Sequence, residues 1–345
     1  MKKFFTAVLI SGLALALCGC GDGKPKQVKS VDTAMGTVVQ QSIYSTESDD
    51  AARSAVTKEI TVMLKDMEEQ ELSWRLNSSE VFRMNESAGT EEGVLLSPKL
   101  QEILQRSIEV GSASEGAFDI TLSPVVRLWN LDSWAAGEQS GNYVLPETEA
   151  LQQALSLCGS ERLRIEENKA FLPAGMAIDL GAVGKGIAAD KVHDFLRGND
   201  KITGAIISIG GTILTYGEKP DKTPWQVGVV NPIEPADFIG ILSLEGQWCV
   251  STSGDYERYV EVDGVRYHHI IDPATGFPAD SGIAGVTVLS EDGFLSDALS
   301  TACFVLGAEK GMQLAEQYGA EVLFVKRDGT LVMTEGMKRV YRSAQ

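Results

Sequence analysis

Apolar positions recur at a helical period in the first half of this chain and at a strand period in the second. Over residues 51–67, Val56, Ile60, Met63, Leu64 and Met67 fall on one side of a 3.6-residue repeat with charges opposite, which predicts an amphipathic helix. Ser97-Pro98 predicts the start of another, because serine caps an N-terminus and proline fits the first turn; Leu100, Ile103, Leu104 and Ile108 then share a face. A third helix follows Pro146 through Leu151 and Leu155, and the small polar stretch 132–143 reads as a surface loop. Beyond it the period changes. Residues 205–214 form an apolar run broken by Gly210-Gly211, residues 225–230 alternate, and 284–289 is a further strand. Segments 256–262 and 265–271 flank Asp263-Gly264, the signature of a type I′ hairpin. Residues 297–306 and 310–318 read as consecutive helices, and 322–326 with 331–334 as a closing hairpin through Asp328-Gly329. Helices interleave with strands that pair through hairpins. The expected class is therefore α+β, with antiparallel-rich sheets and helices in two closely associated lobes.

The N-terminus follows neither pattern. Lys2 and Lys3 precede an apolar run over residues 4–17, too short for a permanent span but suited to a secretory signal. It ends Leu17-Cys18-Gly19-Cys20, which resembles the bacterial lipoprotein processing box. The expectation is a signal peptide over residues 1–19 and a lipidated Cys20 on a small, polar tether to residue 30. One domain then covers 31–345. Such a protein would sit outside the cytoplasm, anchored to a bacterial membrane.

Charge narrows the chemistry. The 345 residues carry a formal net charge of −18, which argues against nucleic-acid binding through a general basic field. An anionic small ligand would need a local site of metal, backbone N–H groups and a few cations. With His193, His268 and His269 the only histidines, zinc is a poor expectation. Cys158, Cys249 and Cys303 lie in apolar contexts and read as buried thiols.

Three segments could carry chemistry. Residues 177–186 (Ala-Ile-Asp-Leu-Gly-Ala-Val-Gly-Lys-Gly) run from an apolar strand through a Gly-rich turn into a helix, where N–H groups and Lys185 suit a phosphate. The spacing is neither a Walker A loop nor a dinucleotide fingerprint, and a plain strand-to-helix turn explains it as well. Ser296-Asp297-Ala298-Leu299-Ser300-Thr301 opens a helix with Asp297 and Thr301 on one face, hard-oxygen donors suited to magnesium; a simple cap reads equally well. Residues 250–277 bring a small-hydroxyl stretch, His268-His269 and a Pro-Ala-Thr-Gly turn together. Strand alternation lets only one of the two histidines face a site.

Together these segments resemble the ApbE-type FAD:protein FMN transferases. The likeness spans roughly residues 31–335. It includes Ala34-Met35-Gly36-Thr37, Leu72-Ser73-Trp74 with Ser79-Glu80 and Asn85, and Gly116-Ala117-Phe118-Asp119-Ile120-Thr121. Leu128-Trp129, the Asp179 loop, Gly210-Gly211, Ser253-Gly254-Asp255-Tyr256, His269-Ile270-Ile271-Asp272-Pro273 and Asp297–Thr301 follow in order. The resemblance implies an ApbE-like fold and FAD contacts at Met35, Trp74, Ala117, Phe118, Asp119, Asp179, Lys185 and Ile271. It also implies Mg2+ on Asp297, Thr301 and the Ala182 backbone carbonyl. Trp74 stands where the family usually has Tyr, and Thr212 where it commonly has Asn.

The implied reaction moves FMN from FAD to a Ser or Thr hydroxyl of an exported protein and releases AMP. Family resemblance suggests FMN-binding subunits of respiratory NADH:quinone reductase or Rnf complexes as acceptors. The attacking hydroxyl wants a base, for which His269 is the candidate and Asp272 the reserve. Two alternatives stand beside it: an FAD pyrophosphatase giving FMN and AMP, and a flavin-binding lipoprotein without catalysis.

Overall fold

The computed structural model describes residues 24–135, 137–139 and 142–344. The signal segment with Cys18 and Cys20 lies outside the described residues. The chain begins with the hairpin β1 (Lys26–Ala34) and β2 (Thr37–Ser45), then α1 (Asp50–Met67), which runs into a π-helical turn, Glu68–Leu72. Next come α2 (Glu80–Glu86), β3 (Val94–Leu95), α3 (Pro98–Ala113), α4 (Ser123–Trp129), α5 (Leu131–Ala135) and α6 (Thr148–Leu155). Short strands β4 (Arg164–Glu166) and β5 (Lys169–Phe171) lead to α7 (Gly184–Arg197). The second half holds β6 (Ile202–Ile209), β7 (Thr212–Gly217), β8 (Trp225–Val230), β9 (Phe238–Leu244) and β10 (Trp248–Gly254). It ends with β11 (Tyr259–Val262), β12 (Val265–His268), β13 (Ile283–Ser290), α8 (Gly293–Gln317), β14 (Glu321–Lys326), β15 (Leu331–Met333), α9 (Glu335–Val340) and β16 (Tyr341–Ser343).

Eight strands form one sheet in the order β1-β2-β6-β7-β10-β13-β14-β15, and every pairing in it is antiparallel. Helices α7 and α8 pack on one face. A three-stranded sheet, β16-β9-β8, adds a second core against the other face through Trp225, Val227, Leu242 and Leu244, which meet Val250 and Leu289. Strand β13 therefore has both faces covered, and every residue in it is buried. A third cluster, centred on Trp129 with Leu151 and Ile271, holds α4 and α6 together.

Most expected elements form, with differences that have local causes. Ser97 caps α3 by accepting from the Leu100 N–H, and Pro98 occupies its first turn. Asp263 and Gly264 both have positive φ (51° and 78°), as a type I′ turn requires, although β11 and β12 are shorter than the expected segments. The 132–143 loop instead begins with α5. Residues 177–180 make no strand, only one parallel bridge, Leu122 to Ala177. Asp297 does not open its helix: α8 starts at Gly293 with Asp292 as the cap, so Asp297 lies in the second turn. The two expected helices there abut at Gly307, whose φ of 79° and ψ of 178° break the helical path. Hairpin β14–β15 is not the last element; α9 and β16 follow it.

Helices α7 and α8 cross almost backbone to backbone. A Cβ on Gly186 would lie 2.1 Å from the Gly293 carbonyl oxygen, and a Cβ on Gly293 2.4 Å from the Gly186 oxygen. Asp190 seals the crossing, its Oδ1 accepting from Gly293 N–H (2.7 Å) and its Oδ2 from Phe294 N–H (2.9 Å). Burial pushes that carboxyl up to about 6 despite these donors. Gly186→Ala should therefore destabilise the fold by about 1–3 kcal/mol. In an open helix the same change stabilises by about 1 kcal/mol, so the sign of the shift in a urea midpoint decides the point.

Candidate active site

The crossing holds Asp297, one of the expected metal ligands. Asp297 is 3% exposed, and its Oδ2 accepts from the Gly186 N–H at 2.9 Å. That N–H is the third of α7, one of the donors a helix start leaves unpaired. Lys185 Nζ stands 3.4 Å from Asp297 Oδ1. The turn before α7 is held by Asp179, whose Oδ1 accepts from Gly181 N–H at 2.8 Å. The Asn85 amide clamps the preceding residue from both sides, donating to Ile178 O (2.9 Å) and accepting from Ile178 N–H (2.7 Å). Asn85 thus positions the loop.

Helix α8 is set by a hydroxyl ladder on β10. Ser251 pairs with Ser296 (2.8 Å) and Ser253 with Ser300 (2.8 Å), the two serines flanking Asp297. Thr212 belongs to this buried ladder, 3.2 Å from the Ser251 hydroxyl, and is fully buried. The small-hydroxyl stretch is therefore packing between strand and helix, and Thr212 faces it. Thr301 follows Asp297 by one turn and is half-buried, as is Ala182 in the loop before α7.

The expected donors, Asp297, Thr301 and the Ala182 carbonyl, are a carboxylate, a hydroxyl and a carbonyl, all hard oxygens. The carboxylate keeps one oxygen held by Lys185 only at a distance beyond ordinary hydrogen-bond length. This donor set suits magnesium. Among the described residues, Asp190, His193 and Cys249 form a second group of metal-type donors, but each is already used. Asp190 accepts from the first two N–H groups of α8, His193 Nε2 bonds the Thr215 carbonyl at 3.0 Å, and burial raises the Cys249 thiol well above its ordinary value. Cys249 and Cys303 are buried thiols, whereas Cys158 is only half-buried.

A cleft opens around Trp74. Met35 sits at the β1–β2 turn with φ of 55°; its N–H donates to Glu68 Oε2 (2.6 Å) in the π-helical turn, and its methyl lies 3.8 Å from where a Gly184 Cβ would be. Trp74, Arg75 and Arg127 line two adjoining recesses, of about 720 and 80 Å³. Both guanidinium carbons stack on the Trp74 indole, at 4.4 Å for Arg75 and 4.5 Å for Arg127. The smaller recess is also lined by His269 and Ile271, the latter buried. Trp129 supports its floor and donates from Nε1 to the Gly276 carbonyl at 2.7 Å.

The two histidines separate as alternation requires. His268 is 2% exposed, with Nε2 on the Ala279 carbonyl (3.1 Å), and burial pushes it down to about 4. His269 turns to the cleft with Nδ1 3.3 Å from the Arg258 carbonyl. Loss of hydration, then the positive charge of Arg258, hold it well below the ordinary imidazole value. Asp272 spends Oδ1 on the Ala274 N–H (2.9 Å) and holds the Pro-Ala-Thr-Gly turn.

The remaining expected contacts divide. Phe118 is 1% exposed and packs in the main core, so its ring cannot meet a ligand; Ala117 is buried outside that cluster. Asp119 accepts from the Thr121 N–H and hydroxyl, both at 2.7 Å, while burial raises its carboxyl above the usual range. Sequence reasoning did not anticipate Arg75, Arg127, Glu68 or Asp190. Only Asp190 left a sequence signal: it follows Gly186 by four residues, as Asp297 follows Gly293, which puts each pair on one helix face.

Relatives match this chain along nearly their full length. FAD:protein FMN transferases from Treponema pallidum and Vibrio cholerae are 30% and 32% identical over 98% and 90% of this chain and 96% and 90% of their own. The flavin transferase ApbE from Vibrio cholerae superposes with a TM-score of 0.79 at 29% identity, covering 92% of this chain and 99% of its own. The ApbE protein from Thermotoga maritima gives 0.78 at 30% identity, over 92% and 100%. The ApbE family model matches residues 35–324, and the chain belongs to the ApbE family.

Proposed function

We propose that this protein is an FAD:protein FMN transferase that needs magnesium, modifies a Ser or Thr hydroxyl of an exported protein and releases AMP. The observation that carries this reading is the contact of Asp297 with the Gly186 N–H at 2.9 Å, beside Lys185. It joins a phosphate-ready helix start to a buried carboxylate in a chain of this family. Magnesium on Asp297, Thr301 and the Ala182 carbonyl would neutralise charge on the pyrophosphate.

The chain's own residues supply the rest. Lys185 binds the pyrophosphate, and Asp179 holds the loop that presents it, while the Gly184 and Gly186 N–H groups are taken by the Leu180 carbonyl and Asp297. Met35, Trp74 and Ile271 line the approach for the rings, with Ala117 and Asp119 at its border. His269 donates from Nδ1 to the Arg258 carbonyl, which leaves the Nε2 lone pair for the acceptor hydroxyl. The hydroxyl oxygen bonds to the FMN phosphorus as the bond from that phosphorus to the AMP phosphate breaks. The proton passes to His269, and AMP leaves. Cys20 lipidation would hold the enzyme at the outer side of a membrane with its exported acceptor. Candidate acceptors are FMN-binding subunits of respiratory NADH:quinone reductase or Rnf complexes.

Chromatography of a reaction with FAD and a flavinylatable protein tests the reading. AMP should appear in proportion to FAD lost with magnesium and stop with EDTA. Equal AMP release with EDTA would contradict the metal requirement.

A further inference from the structure

Arg127 is placed oddly for a cation in a chain of net charge −18. It is exposed on α4, and among the described residues it pairs with no carboxylate. Its guanidinium instead lies 4.5 Å from the Trp74 indole centroid, while Arg75, the next residue in sequence to Trp74, lies at 4.4 Å. The aromatic platform of the cleft is thus covered by the protein's own arginines. A flat ring can use Trp74 only by displacing one of them. Arg127 comes from a separate helix and borders both recesses, so it can leave the indole without moving the Trp74 backbone.

We propose that Arg127 is a specificity-determining residue for the nucleotide, and this rests on the transferase reading above. Without ligand it occupies the indole and competes with any ring that arrives. A ring carrying phosphate repays the displacement, because the released guanidinium pairs with the phosphate. A ring without phosphate does not. The Trp74–Arg127 stack therefore filters out phosphate-free flavin and adenosine.

The two roles have opposite signs, which makes them separable. Equilibrium binding of FAD, riboflavin and adenosine is measured with EDTA present, for the unaltered protein, Arg127→Ala and Arg127→Lys. Arg127→Ala should bind the phosphate-free half that uses Trp74 roughly 2- to 5-fold tighter, since a competing cation–π contact is gone. It should bind FAD about tenfold more weakly, having lost a charge-assisted phosphate contact. Arg127→Lys should lose less FAD affinity than Arg127→Ala, because it keeps the charge. A general loosening of the fold would weaken all ligands together, leaving the ratio of FAD to phosphate-free binding unchanged; that result overturns the proposal. Failure of the unaltered protein to bind FAD even when magnesium replaces EDTA is a different outcome and removes the transferase reading itself.

Discussion

Asp297→Ala should abolish metal-dependent FAD cleavage, with a loss of at least about 10²-fold, the scale for removing a preorganised electrostatic group. The expectation follows from how the carboxylate is held. It is nearly sealed from water, receives the Gly186 N–H and stands near Lys185. Asp297→Asn is the informative companion: its amide oxygen can still accept from Gly186, so the helix crossing survives while the charge is lost. Rates over a magnesium titration check the assignment. Unchanged magnesium dependence in Asp297→Asn would remove Asp297 from the metal site.

His269→Ala should lower FMN transfer by about 10²- to 10⁴-fold, the range of a general base, with FAD binding intact. Its environment fixes the sign of the pH effect. The cleft disfavours the charged imidazolium, so His269 stays neutral, and able to take a proton, below its ordinary value of about 6.5. The acid limb of kcat/KM should therefore fall below that value, and disappear in His269→Ala. Near-normal transfer by His269→Ala would assign the base elsewhere. Asp272 is the poorer substitute, because its carboxylate holds a turn.

What the sequence shows of this fold is what local chemistry controls. The Ser97-Pro98 cap, the Asp263-Gly264 turn and the stripe on α1 each act within a few residues, and each forms. Alternation alone separates His268 from His269. Contacts between distant segments are another matter. Gly186 reads as part of a phosphate loop, yet its missing side chain is required by Gly293, 107 positions away (293 − 186). Phe118 stands in a ligand motif but fills the core. The serines of β10 read as a reactive turn and instead fasten α8. The stacking of Arg127 on Trp74 joins α4 to the loop after α1, and no local pattern announces it.

The Asp297–Gly186 contact joins the proposed phosphate site to the proposed metal site, and either transfer to protein or hydrolysis could use that pair. The acceptor decides between them. The most direct measurement is the intact mass of a purified acceptor protein after incubation with this enzyme, FAD and magnesium. The account predicts a covalent FMN adduct that survives denaturation and vanishes when the acceptor Ser or Thr is replaced by Ala. Free FMN and AMP with an unmodified acceptor would contradict it.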